Sequence, residues 1–123
     1  MIGIGIDLCE IARMERILNT GDAFLQRYFT PCEQAYIQER GKTAAQSMAA
    51  IFAAKEAFLK ALGIGIDGQI PLADVEIRHT ESGQPEYALT GAAQEKLAAL
   101  GATRAMLSLT HEAGMAAAVA IIE

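Results

Sequence analysis

The sequence is poor in cysteine and in basic charge, and each shortage excludes a class of protein. Two of its 123 residues are cysteines, Cys9 and Cys32, and they form no CxxC pair and accompany no other metal-ligand spacing. We therefore expect reduced thiols in a cytoplasmic protein. The net charge of −5 argues against nucleic acid as a partner, because nonspecific binding to phosphate needs a basic surface.

Long apolar runs, repeats and linkers are also lacking. The first eighteen residues have no basic segment ahead of their apolar stretch, and Asp7 and Glu10 interrupt that stretch. This pattern predicts neither a signal peptide nor a membrane span. No low-complexity tract divides the chain, so we expect a single domain over residues 1–123.

Apolar side chains are what the sequence has in excess. Hydrophobic residues make up 52% of the chain and charged residues only 20%, which argues against disorder. The surplus over an ordinary soluble domain comes largely from alanine and isoleucine. It indicates an additional buried surface, for which a subunit interface is the economical explanation.

Periodicity and turn residues predict an α+β fold with a mostly antiparallel sheet and one long helix. Thr30 and Glu33 predict a capping box with Pro31 at the first helical position, and Gly63 is expected to end the longest helix. The predicted strands are 2–8, 74–80, 86–90, 103–110 and 115–122; the predicted helices are 10–18, 30–40, 44–62 and 91–100, with a loop over 63–74 and a turn over 111–114.

Asp7 is the first candidate for chemistry, since it lies where a buried strand gives way to a helix. Such a carboxylate is either a residue of the helix N-cap region or a metal ligand. Taken alone, its position favours capping.

The segment 52–60 supplies the second candidate. On a helix, Phe52, Glu56 and Lys60 are successive i, i+4 neighbours, and Glu56 and Lys60 can form an ordinary surface ion pair. A functional interpretation needs another carboxylate. If Asp7 supplies it, the two carboxylates suit Mg²⁺ with phosphate oxygens as further ligands, and Lys60 is placed to meet phosphate.

His111 is the third candidate, at a strand end in the predicted turn, although taken alone a turn histidine without function is the better interpretation. Residues 63–68 are rich in glycine but follow a helix, whereas a phosphate-binding loop follows a strand and precedes a helix. The sequence therefore contains neither a P-loop nor a dinucleotide-binding fingerprint. His79 receives no role.

Three motifs resemble one family, the holo-acyl-carrier-protein synthases, which are small phosphopantetheinyl transferases. They are GIGIDLCEIARME near the start, FAAKEAFLKALG in the long helix and SLTHEAGMAAAVAI at the end, and RYFTPCE and the hairpin beginning DVEI also agree. The similarity covers nearly the whole chain.

The resemblance implies a long helix packed on an antiparallel sheet, and a homotrimer with active sites between subunits. It implies Mg²⁺-dependent transfer of the 4′-phosphopantetheine of coenzyme A to a serine of apo acyl carrier protein, which releases adenosine 3′,5′-bisphosphate and supports fatty acid biosynthesis. The implied roles are Mg²⁺ binding by Asp7 and Glu56, catalysis by Glu56 and Lys60, contacts to coenzyme A by Lys55, Lys60, Gly63, Gly65 and His111, and contacts to an acidic carrier protein by Arg13, Arg16 and Arg27.

Two questions stay open at this point. The serine proton needs an acceptor, which can be Glu56 or a metal-bound water relayed through a carboxylate such as Glu33. Many relatives have arginine where this chain has Ile51, and a hydroxyl where it has Ile64, which bears on contacts to the adenosine end.

The alternatives to an enzyme are an inactive homologue that binds coenzyme A or carrier protein, and a purely structural oligomer.

Overall fold

The computed structural model describes residues 1–65 and 69–123. The predicted loop over 63–74 therefore lies partly outside the described residues. Single turns of 3₁₀ helix span Gly41–Thr43 and Leu72–Asp74. The elements in chain order are β1 (Gly3–Glu10), α1 (Ile11–Asn19), α2 (Ala23–Tyr28), α3 (Pro31–Glu39), α4 (Ala44–Ala61), β2 (Val75–His79), β3 (Pro85–Leu89), α5 (Gly91–Ala99), β4 (Ala105–Glu112) and β5 (Met115–Ile122).

The strands form two antiparallel sheets, which confirms the α+β prediction. One sheet has the order β1-β5-β4 and the other is the β2–β3 hairpin. Helix α4 packs along one face of the larger sheet, and its side chains Met48, Ala53, Ala54 and Phe58 are completely buried. The long helix is thus the centre of the core, as its apolar composition predicts.

Two glycines of β1 allow α4 to lie unusually close to the sheet. A Cβ added to Gly3 would stand 2.1 Å from the carbonyl oxygen of Ala61, and one added to Gly5 would stand 2.0 Å from that of Ala57. No side chain fits at such distances, because the obstacle is helix backbone. The glycine spacing in the first strand therefore sets the contact distance between β1 and α4.

The predicted signals at helix ends are confirmed. The Thr30 side chain accepts a hydrogen bond from the backbone N–H of Glu33, whose carboxylate accepts one from the N–H of Thr30. At the C-terminal end of α4, Gly63 has φ of +81° and the Gly63 and Ile64 N–H groups donate to the carbonyls of Lys60 and Leu59. This is the Schellman arrangement that glycine favours.

Two local predictions were wrong. Helix α2 was not predicted, because its six residues give no periodic signal and its position depends on the packing of Phe24 and of the buried Leu25. The turn between the last two strands is not 111–114. It is the pair Ala113 and Gly114, both with positive φ, which is the two-residue turn that lets β4 continue to Glu112.

The face of the larger sheet that α4 leaves uncovered is apolar. Register places Ile4 beside Ile121 and Met106, and Ile6 beside Val119 and Ser108. Ile4, Ile6 and Leu8 are 57 to 65% exposed, which is unusual for three successive outward positions of one strand. We call this surface, formed by the outward residues of β1, β5 and β4, the outer sheet face. Separately, no helix among residues 1–65 and 69–123 is long and apolar enough to cross a membrane.

Candidate active site

Asp7 and Glu56 meet between β1 and α4, forty-nine positions apart in sequence. Asp7 faces the helix because it lies on the same face of β1 as the buried Gly5 and Cys9. Its Oδ1 accepts a hydrogen bond from Lys60 Nζ at 2.9 Å, and the same ammonium donates to the carbonyl of Ile6 at 3.1 Å. Since Glu56 precedes Lys60 by one helical turn, the helix presents both side chains to Asp7.

Asp7 and Glu56 place two carboxyl groups close together in a partly buried site. Asp7 Oδ2 is buried and has no hydrogen-bond partner among the described residues. Burial first, and then the neighbouring Asp7 carboxyl, raise the pKa of Glu56 to about 7, while Lys60 and Arg13 oppose the rise. A carboxyl group with a raised pKa, next to an oxygen without a hydrogen-bond partner, is typical of a site that binds a cation.

Two purely structural interpretations, Asp7 as a helix cap and Glu56–Lys60 as a surface ion pair, do not hold in the structure. Asp7 is not a helix cap: α1 begins at Ile11 with Glu10 at the N-cap position, and no side chain caps its first turn. The expected ion pair between Glu56 and Lys60 is also replaced, because the ammonium of Lys60 pairs with Asp7 instead. The hydrogen bond to Asp7 raises the pKa of Lys60, so this side chain remains cationic at neutral pH.

Two carboxylates suit Mg²⁺ as part of a ligand set rather than as a whole one. Within the described parts of the chain, no group of three or more His, Cys, Asp or Glu could hold a metal ion. Mg²⁺ commonly takes one or two protein carboxylates and completes its octahedron with water and substrate phosphates. The donor set of Asp7 and Glu56, with one buried oxygen unsatisfied, fits that pattern.

Lys55 requires a correction, because the structure does not place it where a coenzyme A phosphate could reach it. Its side chain is completely buried, and Nζ donates to Glu33 Oε1 at 2.8 Å and to the carbonyls of Leu72 and Val75 at 2.8 and 2.9 Å. All three protons of the ammonium are therefore used. Burial lowers the pKa of Lys55, and the Glu33 carboxylate counteracts this. Lys55 ties α4 to α3 and to the start of β2.

Glu33 is excluded as a proton relay for the same reason. It is 1% exposed, its Oε1 accepts from Lys55 and from the N–H of Thr30, and its Oε2 accepts from the N–H of Ile77 at 2.8 Å. A carboxylate whose oxygens are engaged inside the core cannot exchange protons with a substrate. Glu33 is a structural residue that completes both a capping box and a buried ion pair.

The three arginines assigned to a carrier protein lie on α1 and α2. The Arg13 guanidinium stands over the ring of Phe52 at 5.6 Å, and its charge acts on Glu56, so it borders the Asp7–Glu56 centre. Arg16 is exposed and pairs with Glu10 at 3.3 Å, and Arg27 lies over the ring of Tyr28 at 5.2 Å. Only Arg13 is thus shown to be close to the carboxylates.

His111 lines a cleft of about 350 Å³ on the other side of α4. It lies within β4, opposite Ala116, rather than in a turn. Tyr36, His79 and the buried Ile51 also line the cleft, and the rings of Tyr36 and His79 stack in parallel with centroids 3.9 Å apart. Sequence reasoning assigned no role to Tyr36 or His79, because no motif connects residues on α3 and β2.

Gly63 and Gly65 line neither this cleft nor the carboxylate centre. Gly63 is explained by the positive φ of the helix end, and a Cβ on Gly65 would meet no atom of residues 1–65 and 69–123 within 4 Å. The structure therefore gives Gly63 a conformational reason and shows, among the residues it describes, no steric reason for Gly65.

Comparison with known proteins places this geometry in a family. Residues 3–119 match the 4′-phosphopantetheinyl transferase superfamily. The holo-[acyl-carrier-protein] synthase of Trichlorobacter lovleyi is 44% identical over 124 residues, covering 100% of this chain and 98% of the relative. That of Syntrophus aciditrophicus is 46% identical over 122 residues, covering 98% and 94%.

Solved structures agree. The holo-[acyl-carrier-protein] synthase of Neisseria meningitidis superimposes with a TM-score of 0.89 at 35% identity, covering 100% of this chain and 98% of the other. The Helicobacter pylori enzyme in complex with coenzyme A gives 0.84 at 31% identity, covering 98% and 99%. The chain therefore belongs to the holo-[acyl-carrier-protein] synthases of the 4′-phosphopantetheinyl transferase superfamily, and it is an enzyme of that type.

Proposed function

We propose that residues 1–123, as one transferase domain, move the 4′-phosphopantetheine of coenzyme A to a serine of apo acyl carrier protein in a Mg²⁺-dependent reaction. The products are the holo carrier protein and adenosine 3′,5′-bisphosphate, and the reaction serves fatty acid biosynthesis in the cytoplasm. The observation that carries the proposal is the Asp7–Glu56 pair, with its unsatisfied buried oxygen and its raised pKa beside Lys60, in a chain of this family.

Asp7 and Glu56 are the residues that would hold Mg²⁺ together with phosphate oxygens of coenzyme A. When bound there, the ion neutralises charge on the pyrophosphate and orients it for displacement. A divalent cation bound there would oppose the rise in the Glu56 pKa, whose largest cause is burial and whose next cause is the Asp7 carboxyl.

Lys60 supplies an exposed positive charge at the centre. Its side chain is 54% exposed although the ammonium is anchored to Asp7 and to the carbonyl of Ile6, so it can contact a phosphate without losing its position. In the transfer, the serine oxygen bonds to the phosphorus that carries pantetheine while the bond to the leaving bisphosphate breaks. A cation beside the phosphates stabilises the charge that the leaving group acquires.

The serine proton must reach an acceptor in the same step. Of the two acceptors that the sequence leaves open, Glu33 has both oxygens engaged in the core, whereas Glu56 is partly exposed and lies beside Asp7 and Lys60, where the phosphates would bind. A general base must lie within hydrogen-bond reach of the proton that it accepts, and only Glu56 has such a position. We therefore assign proton acceptance to Glu56.

The His111 cleft supports a coenzyme A site built from two subunits. Asp7 lies on the β1 edge of the sheet and His111 on the β4 edge, and α4 runs between them on the same face. One elongated ligand that meets both groups is accommodated more simply across an interface than around the helix of one chain. The H. pylori relative is a complex with coenzyme A.

A homotrimer through the outer sheet face accounts for the apolar surplus of the chain. The exposed isoleucines and Leu8 of β1 would become buried in such an assembly, which is favourable by roughly 25 cal/mol per Å² of apolar area. We expect Ile6→Asp to give monomers in light scattering after size exclusion, because three charges would meet near the symmetry axis. Leu100→Asp, a change at an exposed apolar residue of another surface, is the control; a trimeric Ile6→Asp protein would contradict this interface.

Arg13, Arg16 and Arg27 are proposed to receive the acidic carrier protein. Arg13 stands on Phe52 next to the carboxylate centre, so a carrier held by this guanidinium would bring its serine toward Glu56. Local positive charge of this kind steers an acidic partner even though the chain has a net charge of −5.

The experiment that tests the transfer is the intact mass of apo acyl carrier protein incubated with this chain, coenzyme A and Mg²⁺. The proposal predicts a gain of one phosphopantetheine arm, abolished by a chelator and restored by excess Mg²⁺. No gain on any of several carrier proteins, with coenzyme A still bound, would favour the inactive homologue. No binding of coenzyme A would favour the structural oligomer.

A further inference from the structure

Lys55, which precedes Glu56 on α4, is held by three acceptors from outside its own helix. Its side chain is completely buried, and the ammonium donates to Glu33 on α3 and to the carbonyls of Leu72 and Val75 at the entry to the β2–β3 hairpin. In the described part of the chain, no other lysine or arginine is buried. With every donor of the ammonium engaged, the side chain has one direction available to it.

A buried ion pair of this kind is weak evidence for stability. Taking an ammonium and a carboxylate out of water costs free energy that their attraction often does no more than offset, so apolar residues of similar volume would fill the core as well. The pair between Lys55 and Glu33 adds direction instead, because hydrogen bonds require an alignment that apolar contacts do not. It therefore suits a place where the orientation of α4 matters.

A second hydrogen bond fixes α4 one residue earlier. The Tyr87 hydroxyl on β3 donates to the carbonyl of Ala54 at 2.6 Å, and the Tyr87 ring packs on Phe58 with centroids 5.3 Å apart. Burial raises the pKa of Tyr87, so the hydroxyl keeps its proton and remains a donor. The hairpin thus contacts two consecutive residues of α4, Ala54 through the backbone and Lys55 through the side chain.

The contact of α4 with β1, by comparison, sets a distance more than an orientation. Gly3 and Gly5 face the carbonyls of Ala61 and Ala57, so the strand and the helix meet through backbone and small side chains. Such surfaces do not interlock, and they oppose rotation or sliding of the helix only weakly. The direction in which Glu56 leaves α4 therefore depends on contacts at the other sides of the helix.

We propose that Lys55 and Tyr87 are positioning residues that fix the rotation of α4 about its axis and so hold Glu56 in the carboxylate centre. Successive residues of an α-helix differ in direction by about 100°, so fixing residues 54 and 55 also fixes the direction of residue 56. The proposal rests on the proposed function and deepens it, because it makes Mg²⁺ affinity depend on residues outside the Asp7–Glu56 pair. Loss of the contacts that orient a metal ligand commonly lowers metal affinity roughly 10- to 100-fold.

The test is the Kd of Mg²⁺ for the protein saturated with coenzyme A, measured by calorimetry beside the Kd of coenzyme A in chelator. Tyr87→Phe removes one hydroxyl, and Lys55→Met with Glu33→Gln removes the buried charges while keeping an oxygen for the backbone donors. The Kd of Mg²⁺ should rise about 3-fold in the single variant and roughly 10-fold or more in the double variant. The Mg²⁺ concentration for half-maximal transfer rate should rise in parallel, while the Kd of coenzyme A in chelator stays within about twofold of wild type.

Leu97→Ala is the control for stability alone, because it truncates a buried side chain on α5. It should lower the melting temperature and leave both Kd values unchanged. Each variant is titrated where circular dichroism shows it folded, and Tyr87→Phe decides alone if the double variant does not fold.

Wild-type Mg²⁺ binding in the folded double variant, or in Tyr87→Phe where only that variant folds, would overturn the proposal. An equal loss of Mg²⁺ affinity in Leu97→Ala would overturn it as well, since the effect would then follow stability and not the orientation of α4. If the wild-type protein binds no Mg²⁺ with coenzyme A and transfers no phosphopantetheine, the proposed function fails. If it does both and the variants match it, only the positioning role of Lys55 and Tyr87 fails.

Discussion

Substituting Glu56 by glutamine should stabilise the protein while removing its activity. The pKa of Glu56 is raised from an ordinary 4.5 to about 7. A carboxyl group whose pKa is raised by folding contributes less to stability as pH rises. Its contribution is complete below about pH 4.5 and is lost as the pH rises through about 7. Nominally the shift corresponds to about 3 kcal/mol, and because the carboxyl is partly exposed, solvent screening reduces this to about 1–2 kcal/mol.

The assay is denaturant unfolding at pH 5 and pH 8 in chelator. Relative to wild type, Glu56→Gln should gain about 1–2 kcal/mol between the two pH values, since the amide does not ionise. Adding Mg²⁺ at pH 8 should stabilise the wild type and not the variant. Glu95→Gln, at an exposed position of α5, controls for loss of one charge. A wild-type-to-variant difference that is the same at both pH values would refute the electrostatic argument.

Three further predictions concern the surroundings of the centre. Lys55→Met should cost about 3–5 kcal/mol of unfolding free energy by leaving Glu33 buried and unpaired, whereas Lys55→Met with Glu33→Gln, which removes the charge and keeps an oxygen for the backbone N–H groups, should recover part of it; a double variant no better than the single would contradict this. Gly5→Ala should cost at least about 3 kcal/mol or prevent folding, because its Cβ would meet helix backbone, while Gly65→Ala should stay within about 0.5 kcal/mol, and equal melting temperatures would exclude the close contact. Arg13→Ala should weaken carrier-protein affinity and its salt dependence with coenzyme A affinity unchanged, and a loss confined to coenzyme A would count against its carrier role.

Local signals predicted much of the fold. The Thr30–Glu33 capping box and the Gly63 helix end are encoded within a few residues, so they could be recognised without tertiary information. The long helix and the alternating strands follow from periodicity in the same way. Helix α2 could not be predicted, because its six residues are held by packing of Leu25 rather than by propensity.

The candidate site was predictable only in part. Glu56 and Lys60 share a helix face by spacing alone, but their approach to Asp7 depends on Gly5 letting α4 settle on β1. The burial of Lys55 could not be inferred from the sequence, because lysine side chains are ordinarily exposed. Its partners come from three other parts of the chain, and such contacts carry no sequence pattern.

The stacked rings of Tyr36 and His79 illustrate the same limit of sequence-based prediction. The two rings lie forty-three residues apart on α3 and β2, and each is unremarkable in its own segment. Only the packing of α3 against the hairpin makes them parallel. A contact of this kind can be recognised only in the tertiary structure.

The central claim, that Asp7 and Glu56 hold the Mg²⁺ used in transfer, is tested most directly by the Mg²⁺ dependence of the initial rate. Asp7→Asn removes one carboxylate charge at nearly constant volume and leaves an oxygen for Lys60. The Mg²⁺ concentration for half-maximal rate should rise at least about tenfold, comparable to the loss of an important metal-site contact. An unchanged Mg²⁺ dependence at any remaining activity would contradict the assignment of the metal to this pair.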